Sequence, residues 1–378
     1  MTSFWLDGAA VAPRAALDRD ITADAAIVGG GIAGISVAYA LAREGATVVV
    51  LERGELAEGA SGRNAGFILG GVAENYVAAC RAYGADRATR VFRFTFANRV
   101  LFRSAIRVNN IDCLAAWNGS DQLAGDDEEW LEIAESARQL ASHGVRVRLE
   151  PAERKAVYDE DGEIHPVRFV RGLAEAAERL GARIHTGTTV VSCSPTEVRT
   201  PSAVVRAGAV VLCTNAYTHH LAPTRVRPLR GQICATAPLA RRLFVRPTYA
   251  NRGYRYWRQL SAGNILVGGW RNTAVEEEVG EDDGTSDRIQ RQLDAFLHEH
   301  GVDAPVTHRW GGTMGFSHDG LPYIGKAADG IYRCGGFTGH GQGYAMAAGE
   351  LVTALVRTGT HPDAGLFEPD RDLMPRGR

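Results

Sequence analysis

The chain has 378 residues, of which 45% are hydrophobic and 23% are charged; this is the composition of a large folded protein and not of a disordered one. Its 42 basic and 44 acidic residues give a formal net charge of −2, a balance that argues against a nucleic-acid-binding protein. No apolar run approaches the roughly 20 residues of a membrane span, and no signal peptide is apparent. The six cysteines show neither a C-x-x-C pair nor zinc-type spacing, so we expect reduced thiols, no metal site and a cytoplasmic location.

A β–turn–α–β unit is predicted near the amino terminus. Residues 25–28 and 47–51 are apolar segments of strand length, and the residues between them have helical character up to Arg43, where Gly45 ends the helix. Two strands joined by one helix in so short a segment are typical of a parallel unit with a right-handed crossover.

The turn of this unit has the form Gly29-x-Gly31-x-x-Gly34. Because it follows a strand and opens a helix, its backbone N–H groups and the positive helix end are suited to the pyrophosphate of a dinucleotide. Glu52 ends the second strand, where an acid binds the ribose hydroxyls of an adenosine and disfavours the 2′-phosphate of NADP. The residues assigned to this part of the cofactor site are Gly29, Gly31, Ile32, Ala33, Gly34, Glu52 and Arg53.

A second glycine-rich segment, residues 59–66, follows the ribose-binding strand. Its serine and arginine are placed to reach the second phosphate and the ribityl chain of a flavin, and NAD has no such chain, so the segment favours FAD. A plain glycine turn with a surface arginine is the alternative. The candidate residues are Ser61, Gly62, Arg63, Asn64, Ala65 and Gly66.

The middle of the chain alternates between helical and strand-like patterns. Helices are predicted over residues 76–115, at the surface, and over residues 126–143, 168–180 and 287–300. Short strands are predicted at residues 145–149, 183–185, 189–192 and 209–212. Residues 223–306 have the pattern of a mainly antiparallel sheet with a hairpin turn at 261–264, and residues 276–287 are predicted to be a solvated acidic loop.

The chain is glycine-rich again at residues 335–343, before a helix predicted at 344–357. Such a loop lets the backbone approach a flat ligand closely, and the positive helix end suits the N1–C2=O edge of a flavin, where negative charge appears on reduction. Tight packing on a sheet is the alternative for each glycine. The candidate residues are Gly336, Gly339, His340, Gly341, Gln342 and Gly343.

Cofactor motifs at both ends of the chain predict a discontinuous cofactor domain. The expected fold class is α/β plus α+β: a Rossmann-like FAD-binding domain with an inserted, mainly antiparallel-sheet substrate domain. The predicted FAD-binding domain comprises residues 1–75, 164–222 and 307–378. The predicted substrate-binding domain comprises residues 76–163 and 223–306.

These motifs resemble those of the D-amino-acid oxidase (DAO) family of FAD-dependent amine oxidoreductases, in the branch of γ-glutamylputrescine oxidase, glycine oxidase and sarcosine oxidase. The segments that carry the resemblance are residues 26–34 with Glu52, and residues 59–66, 210–216, 230–232, 310–325 and 335–343. The resemblance implies a flavin between the cofactor domain and an antiparallel sheet, with the substrate over the ring. It also implies cofactor contacts from Val190, Thr214, Asn215 and Gly312.

The sequence departs from the family pattern in ways that bear on the substrate and the acceptor. Met314 stands where glycine-oxidase-like members carry an arginine for the substrate carboxylate, which favours a plain amine. Residues 223–306 contain no lysine, the residue type that promotes the oxygen reaction in sarcosine oxidases, so the electron acceptor is left open. The positions of covalent flavin attachment hold neither cysteine nor histidine, which predicts FAD bound without a covalent link.

Candidate residues for the catalytic pocket are mainly aromatic, because aromatic faces can surround an amine; ordinary strand packing is the alternative. These candidates are Tyr254, Tyr256, Trp270, Met314 and His340. Arg255, Arg258 or Arg271 is a possible replacement for the missing arginine. His165, which precedes Pro166, is interpreted as a helix-entry residue and not as a base.

The function predicted is oxidation of the C–N bond of an amine or amino acid by hydride transfer to flavin N5, giving an imine and, in an oxidase, hydrogen peroxide. The expected partners are a small-molecule amine and oxygen or another electron acceptor, with no nucleic acid and no membrane span. An acceptor-linked amino- or imino-acid dehydrogenase and a flavin-binding subunit without turnover are the alternatives.

Overall fold

A computed structural model of the chain describes residues 2–9 and 11–371. Residues 1, 10 and 372–378, which the predicted FAD-binding domain includes, lie outside the described residues. The strands are β1 (Ile21–Val28), β2 (Val48–Leu51), β3 (Phe67–Ile68), β4 (Ser120–Leu123), β5 (Val147–Glu150), β6 (Lys155–Tyr158), β7 (Gly162–Glu163), β8 (Arg183–His185), β9 (Ser192–Ser194), β10 (Glu197–Arg199), β11 (Val204–Leu212), β12 (Arg227–Thr236), β13 (Thr248–Ala250), β14 (Arg255–Gln259), β15 (Ile265–Gly269), β16 (Val306–Phe316), β17 (Tyr323–Lys326) and β18 (Tyr332–Gly335). The α-helices are α1 (Ile32–Arg43), α2 (Tyr76–Tyr83), α3 (Ala85–Asn109), α4 (Asp127–Ser142), α5 (Pro166–Arg179), α6 (Asp287–Glu299) and α7 (Gly341–Thr358).

The first sheet has the strand order β17-β18-β11-β1-β2-β8, and β10 and β9 extend it beside β11. Strands β1, β2, β8, β11 and β18 pair in parallel, whereas β17 runs antiparallel to β18. Helix α1 contacts both α5 and α7, and their apolar faces share one core with the sheet. This is the predicted Rossmann-like arrangement. Strand β1 begins earlier than expected, at Ile21, because its first residues alternate between half-buried and exposed positions and so lack a continuous apolar signal.

The second sheet has the order β16-β12-β15-β14-β13-β4-β6-β5. All its neighbouring strands are antiparallel except β13 and β4, and β14 and β15 form the predicted hairpin. Helix α6 covers one face through Ile289, Leu293 and Phe296. Strand β16 pairs along most of β12, so it belongs to this sheet although the predicted boundary at residue 306 assigns it to the FAD-binding part.

Residues 76–115 were predicted to form helices at the surface, but the helices in this segment are partly buried. In α3, Asn98 and Arg99 are buried. The Asn98 Nδ2 donates to the carbonyl of Gln342 at 2.8 Å, and its Oδ1 accepts from the N–H of Met346 at 2.9 Å. Arg99 forms a buried ion pair with Asp161. The prediction was wrong because polar residues that are satisfied in the interior look the same in the sequence as solvated ones.

Further differences from the sequence pattern concern two element boundaries and the acidic loop. Helix α7 begins at Gly341, before the predicted start, because glycine has low helix propensity and conceals the first turn. Residues 189–191 lie outside the strands, and β9 begins only at Ser192. In the predicted acidic loop, Glu278 is buried and pairs with Arg230 at 2.9 Å, so this loop is anchored to β12.

In the described part of the chain, no helix is both long and apolar enough to cross a lipid bilayer. The six cysteines are all free thiols.

Candidate functional site

A cavity of about 1200 Å³ lies between the two sheets. Its walls include the glycine turn after β1, the loop after β2 and the start of α7 from one side, and strands β12 to β16 from the other. Pockets for small ligands usually occupy roughly 300–1,000 Å³. The cavity is therefore large enough for a dinucleotide together with a small substrate.

The glycines of the turn after β1 allow neighbouring groups to approach its backbone closely. Gly29 has a φ of +113°, and a Cβ there would lie 2.8 Å from the carbonyl oxygen of Cys213. A Cβ on Gly31 would lie 2.9 Å from the Ser61 Oγ, and one on Gly34 would overlap the carbonyl oxygen of Gly29. Only glycine fits positions 29 and 34, where a Cβ would meet backbone, and glycine at position 31 leaves room for the Ser61 Oγ. The amino terminus of α1 can therefore reach the cavity.

Glu52 braces this turn with its carboxylate. Its Oε2 accepts from the N–H of Gly30 at 2.6 Å, and its Oε1 accepts from the N–H of Gly54 at 2.9 Å. The side chain remains partly exposed and lines the cavity. Each carboxylate oxygen has a second lone pair for a ligand hydroxyl.

The loop of residues 59–66 is held by its own polar side chains. The Ser61 Oγ accepts from the N–H of Ile32 at 2.8 Å, which satisfies a donor at the start of α1. The Asn64 Oδ1 accepts from the N–H of Gly66 at 2.7 Å and from the Gln342 Nε2 at 3.1 Å. The loop thus joins the amino ends of α1 and α7.

Arg63 has a second role that its sequence context did not indicate. Its guanidinium donates to the carbonyl of Gly311 at 3.1 Å and pairs with Asp283 at 3.0 Å. These contacts tie the loop of residues 59–66 to β16 and to the acidic loop. Arg63 also lines the cavity.

The loop before α7 contains two residues in the left-handed region, Thr338 at φ +51° and Gly339 at φ +81°. His340 is the N-cap residue but makes no side-chain cap; its Nδ1 lies 3.1 Å from the carbonyl oxygen of Thr338. Its ring meets Tyr249 edge-on at 5.5 Å. Burial lowers the pKa of His340, so the imidazole is neutral at pH 7.

The second sheet supplies the other end of the cavity. Gly312, Met314 and Phe316 alternate along β16 and all line it, as do Tyr254 and Tyr256. The Met314 side chain lies against Gly231 and Gly339. Burial raises the pKa of both Tyr249 and Tyr256, so both hydroxyls remain protonated at physiological pH.

Arg271 is the charged side chain of this aromatic region. Its guanidinium lies 5.6 Å from the ring centre of Tyr254 and 4.8 Å from that of Phe316. The Arg271 side chain is half-buried and lines the cavity. A half-buried guanidinium over two aromatic rings is suited to an anionic group of a ligand.

The sequence profile of a family described as FAD dependent oxidoreductase (DAO) matches residues 24–355. The chain belongs to this family. The gamma-glutamylputrescine oxidoreductase of Escherichia coli (strain K12) is 29% identical over 398 residues, which cover 97% of this chain and 91% of the relative. The glycine oxidase of Bacillus licheniformis is 25% identical over 359 residues, 88% of this chain and 92% of the relative. The solved structure of L-proline dehydrogenase from P. horikoshii has a TM-score of 0.79 at 21% identity, with 93% of this chain and 97% of that chain covered.

These matches confirm the predicted family and fold class. The chain is an enzyme, an FAD-dependent oxidoreductase of the DAO family, and FAD is its cofactor. The cavity fits this cofactor, because the amino ends of α1 and α7 both face it and neither N-cap residue, Gly31 or His340, closes its helix with a side chain. Two helix ends that no N-cap side chain closes suit the anionic and polar edges of a flavin dinucleotide.

Most of the residues predicted from the sequence line this one cavity. They are Gly29, Gly31, Ile32, Ala33, Glu52, Arg53, Ser61, Arg63, Asn64, Ala65, Gly66, Val190, Thr214, Asn215, Tyr254, Tyr256, Gly312, Met314, Gly339, His340, Gly341, Gln342 and Gly343. Their individual contacts with FAD and substrate remain predictions.

Four predicted residues do not line the cavity. Gly34 and Gly62 are packed against the backbone of Gly29 and Ala57, and Gly336 donates its N–H to the Asn215 Oδ1 at 2.9 Å. These three glycines lie behind the residues that line the cavity.

Trp270 is the fourth, and the structure does not support its predicted place in the catalytic pocket. It is 4% exposed, belongs to the core under α6 and meets Phe296 edge-on at 5.7 Å. Trp270 follows the end of β15 and has a φ of +59°. This left-handed residue turns the chain, so the alternation of faces along β15 does not extend to it.

Two of the three candidate arginines are also placed elsewhere. Arg258 is buried, pairs with Glu163 at 3.0 Å and donates to the carbonyl of Ala65 at 2.9 Å; burial lowers its pKa to about 10, so it is still charged at neutral pH. Arg255 lies over Trp270. Arg271 alone of the three lines the cavity. His165 is confirmed as a helix-entry residue, since its Nδ1 accepts from the N–H of Arg168 at 3.3 Å.

Sequence reasoning missed several aromatic residues of the site, among them Phe316 and Tyr249. Phe316 shares a face of β16 with Gly312 and Met314, so the alternation of this strand was a usable signal. Tyr249 lies on β13, a strand of only three residues that is too short to stand out as a pattern.

Proposed function

We propose that this enzyme oxidises the C–N bond of an amine, with a hydrogen on the adjacent carbon leaving as hydride and the resulting imine released to hydrolysis. FAD, when bound, supplies the two-electron acceptor. The observation that carries the proposal is a single cavity that joins the dinucleotide-type glycine turn to the aromatic region of Tyr256, Met314 and Arg271. The names of two relatives, gamma-glutamylputrescine oxidoreductase and glycine oxidase, support a nitrogen-bearing substrate.

The side chains of this region bind and orient an amine and do not take its proton. Tyr249 and Tyr256 are protonated, since burial raises the pKa of each, and a protonated phenol does not act as a base. Burial lowers the pKa of His340, which makes its neutral imidazole a weaker base than a free histidine. The substrate therefore has to be deprotonated at nitrogen before it reacts, and the aromatic walls exclude water around it. No dedicated strong base is needed for hydride loss from a neutral amine.

The favoured substrate is an amine without an α-carboxylate. The support is Met314, whose thioether gives a carboxylate nothing to pair with at the position where related enzymes have arginine, and an unpaired buried carboxylate is costly. A specific observation favours the second candidate, an amino acid: Arg271 lines the same cavity and lies over Phe316, on the same strand as Met314.

Oxygen is the acceptor that we propose, with hydrogen peroxide as product, and an acceptor-linked dehydrogenase is the alternative. Two observations favour that alternative: residues 223–306 offer no lysine to assist the oxygen reaction, and Lys155 on β6 is already paired with Glu150 at 3.0 Å and Glu153 at 2.8 Å. We also propose a cytoplasmic location, because free cysteines suit a reducing compartment.

Steady-state peroxide release with a panel of amines and amino acids tests the proposal, with anaerobic bleaching of the flavin absorbance as the parallel measurement. Peroxide formation with an amine supports an amine oxidase. Bleaching without peroxide would show an acceptor-linked dehydrogenase instead. A flavin that no amine or amino acid of the panel reduces would contradict the proposal and favour a binding subunit.

A further inference from the structure

Three side chains that no motif predicted converge beside the cavity. His219 and His220 end the short 3-10 helix Asn215–His220, and Glu281 lies in the acidic loop, residues 276–286. The Nε2 of each histidine lies 2.9 Å from the Glu281 Oε1. The exposed fraction of the side chain is 42% for His219, 54% for His220 and 32% for Glu281, so an ion can reach them from solvent.

A hydrogen bond sets which ring nitrogen of His219 faces Glu281. Its Nδ1 lies 3.1 Å from the carbonyl oxygen of Ala216, and a carbonyl can only accept, so the Nδ1 carries a hydrogen. In the neutral ring the Nε2 then presents a lone pair to a carboxylate oxygen of Glu281. A metal ion between that lone pair and the Glu281 carboxylate would bind both.

We propose that His219, His220 and Glu281 bind a divalent transition-metal ion, for which zinc is the best match. The possible ligand atoms all lie within 4.8 Å of one another, and two imidazole nitrogens with one carboxylate oxygen form a known zinc set in which water takes the fourth position. The N–H···O=C bond from His219 to Ala216 is of the kind that orients metal-binding histidines.

No pattern in the sequence indicates this site. Its ligands come from two adjacent histidines and a glutamate 61 positions after the second, which matches no zinc spacing, and we therefore expected no metal. Only the fold brings the acidic loop to the 3-10 helix.

A metal bound at this site would hold part of the cavity wall in place. Directly after Glu281, the acidic loop is tied by Asp282 to Arg230 at 2.8 Å and by Asp283 to Arg63 at 3.0 Å. Asp283 and His220 both line the cavity. An exposed histidine–carboxylate pair stabilises little by itself, whereas a metal would fasten the loop to the 3-10 helix. Bound metal should therefore slow the exit of FAD.

Equilibrium dialysis of the holoenzyme, first stripped with EDTA and then exposed to zinc sulfate, tests the site directly. We expect one zinc ion per chain at micromolar free zinc, and binding at least about tenfold weaker in His219→Gln and in Glu281→Gln. His308→Gln is the matched control: His308 pairs with Asp7 at 3.1 Å without a second histidine, so its loss should leave zinc binding unchanged. Flavin absorbance and the melting temperature verify that each variant is folded.

Wild-type protein that binds no zinc in this range would overturn the proposal, as would variants that bind it as tightly as wild type. The rate of FAD release on dilution, followed by flavin fluorescence, is the second measurement. Zinc should slow release from the wild type and leave the rate in Glu281→Gln unchanged; equal slowing in both would contradict the role of Glu281. Neither measurement requires turnover, so both are independent of the proposed reaction.

Discussion

The two ends of the cavity are built in different ways. The end that includes Gly31, Glu52 and Ser61 consists of backbone N–H groups, glycines and short side-chain bonds within residues 29–66. The end that includes Tyr249, Arg271 and Met314 is assembled from side chains on separate strands of the second sheet or just beyond them. Local backbone geometry therefore forms the cofactor end, and sheet register forms the substrate end. Substitutions at the first end should affect the loading of FAD, and substitutions at the second should affect the choice of substrate.

The largest effect expected at the cofactor end is complete release of the cofactor by acid. Purified protein should be yellow, and acid precipitation should leave all of the FAD in the supernatant, because no cysteine or histidine occupies the positions of covalent attachment. Absorbance of the pellet and the supernatant measures this. Flavin that stays on the precipitated chain would contradict non-covalent binding.

Gly34→Ala should abolish FAD loading or folding. Its Cβ would overlap the carbonyl oxygen of Gly29, and relief of the clash would move the turn from the pyrophosphate position, at a cost of about 3 kcal/mol or more in stability. Thermal unfolding and the flavin-to-protein absorbance ratio measure this. Gly365→Ala, where a Cβ would meet nothing within 4 Å, is the control. Similar losses in both variants would show that the clash at Gly34 is not their cause.

Arg271→Met separates the two candidate substrates at the other end. The matched pair is an amine and its α-carboxylated analogue. If Arg271 holds the α-carboxylate, anaerobic flavin reduction by the amino acid should slow by roughly 10- to 150-fold, the effect of losing a charge-assisted bond of about 1.5–3 kcal/mol. The plain amine should be affected little. Stopped-flow reduction with both members of the pair measures the ratio.

The favoured proposal, a plain amine, predicts that wild-type enzyme is reduced faster by the amine than by its α-carboxylated analogue. A faster reaction with the amino acid would show that Arg271 replaces the arginine missing at Met314. Arg255→Met is the matched control, since Arg255 lies over the buried Trp270.

Glu52→Gln should have the smallest effect, a loss of about 1–3 kcal/mol in FAD affinity, or roughly 5- to 150-fold in Kd. The amide would present an NH₂ group to the N–H of Gly30 or Gly54 in place of an acceptor, and it would also weaken the bond to a ribose hydroxyl. Flavin titration of apoprotein measures this, with the exposed Glu44→Gln as the control. An unchanged Kd would place the ribose elsewhere.

The sequence by itself determined the elements whose signals are local. The β1–turn–α1–β2 unit, the hairpin of β14 and β15, and the helix-entry role of His165 all follow from residues close together in the chain, because the hydrogen bonds and steric limits that define them act between near neighbours. The family followed from the same motifs.

The tertiary structure decided which side chains meet. It places Trp270 in the core under α6 and Arg271 at the cavity, although the two residues are adjacent. The reason is that Trp270 has a left-handed backbone conformation, which ends the alternation of faces along β15. It also brought Tyr249 to His340, and Glu281 to two histidines. Such contacts depend on strand register and on how the two sheets pack, and neither leaves a periodic signal in the sequence.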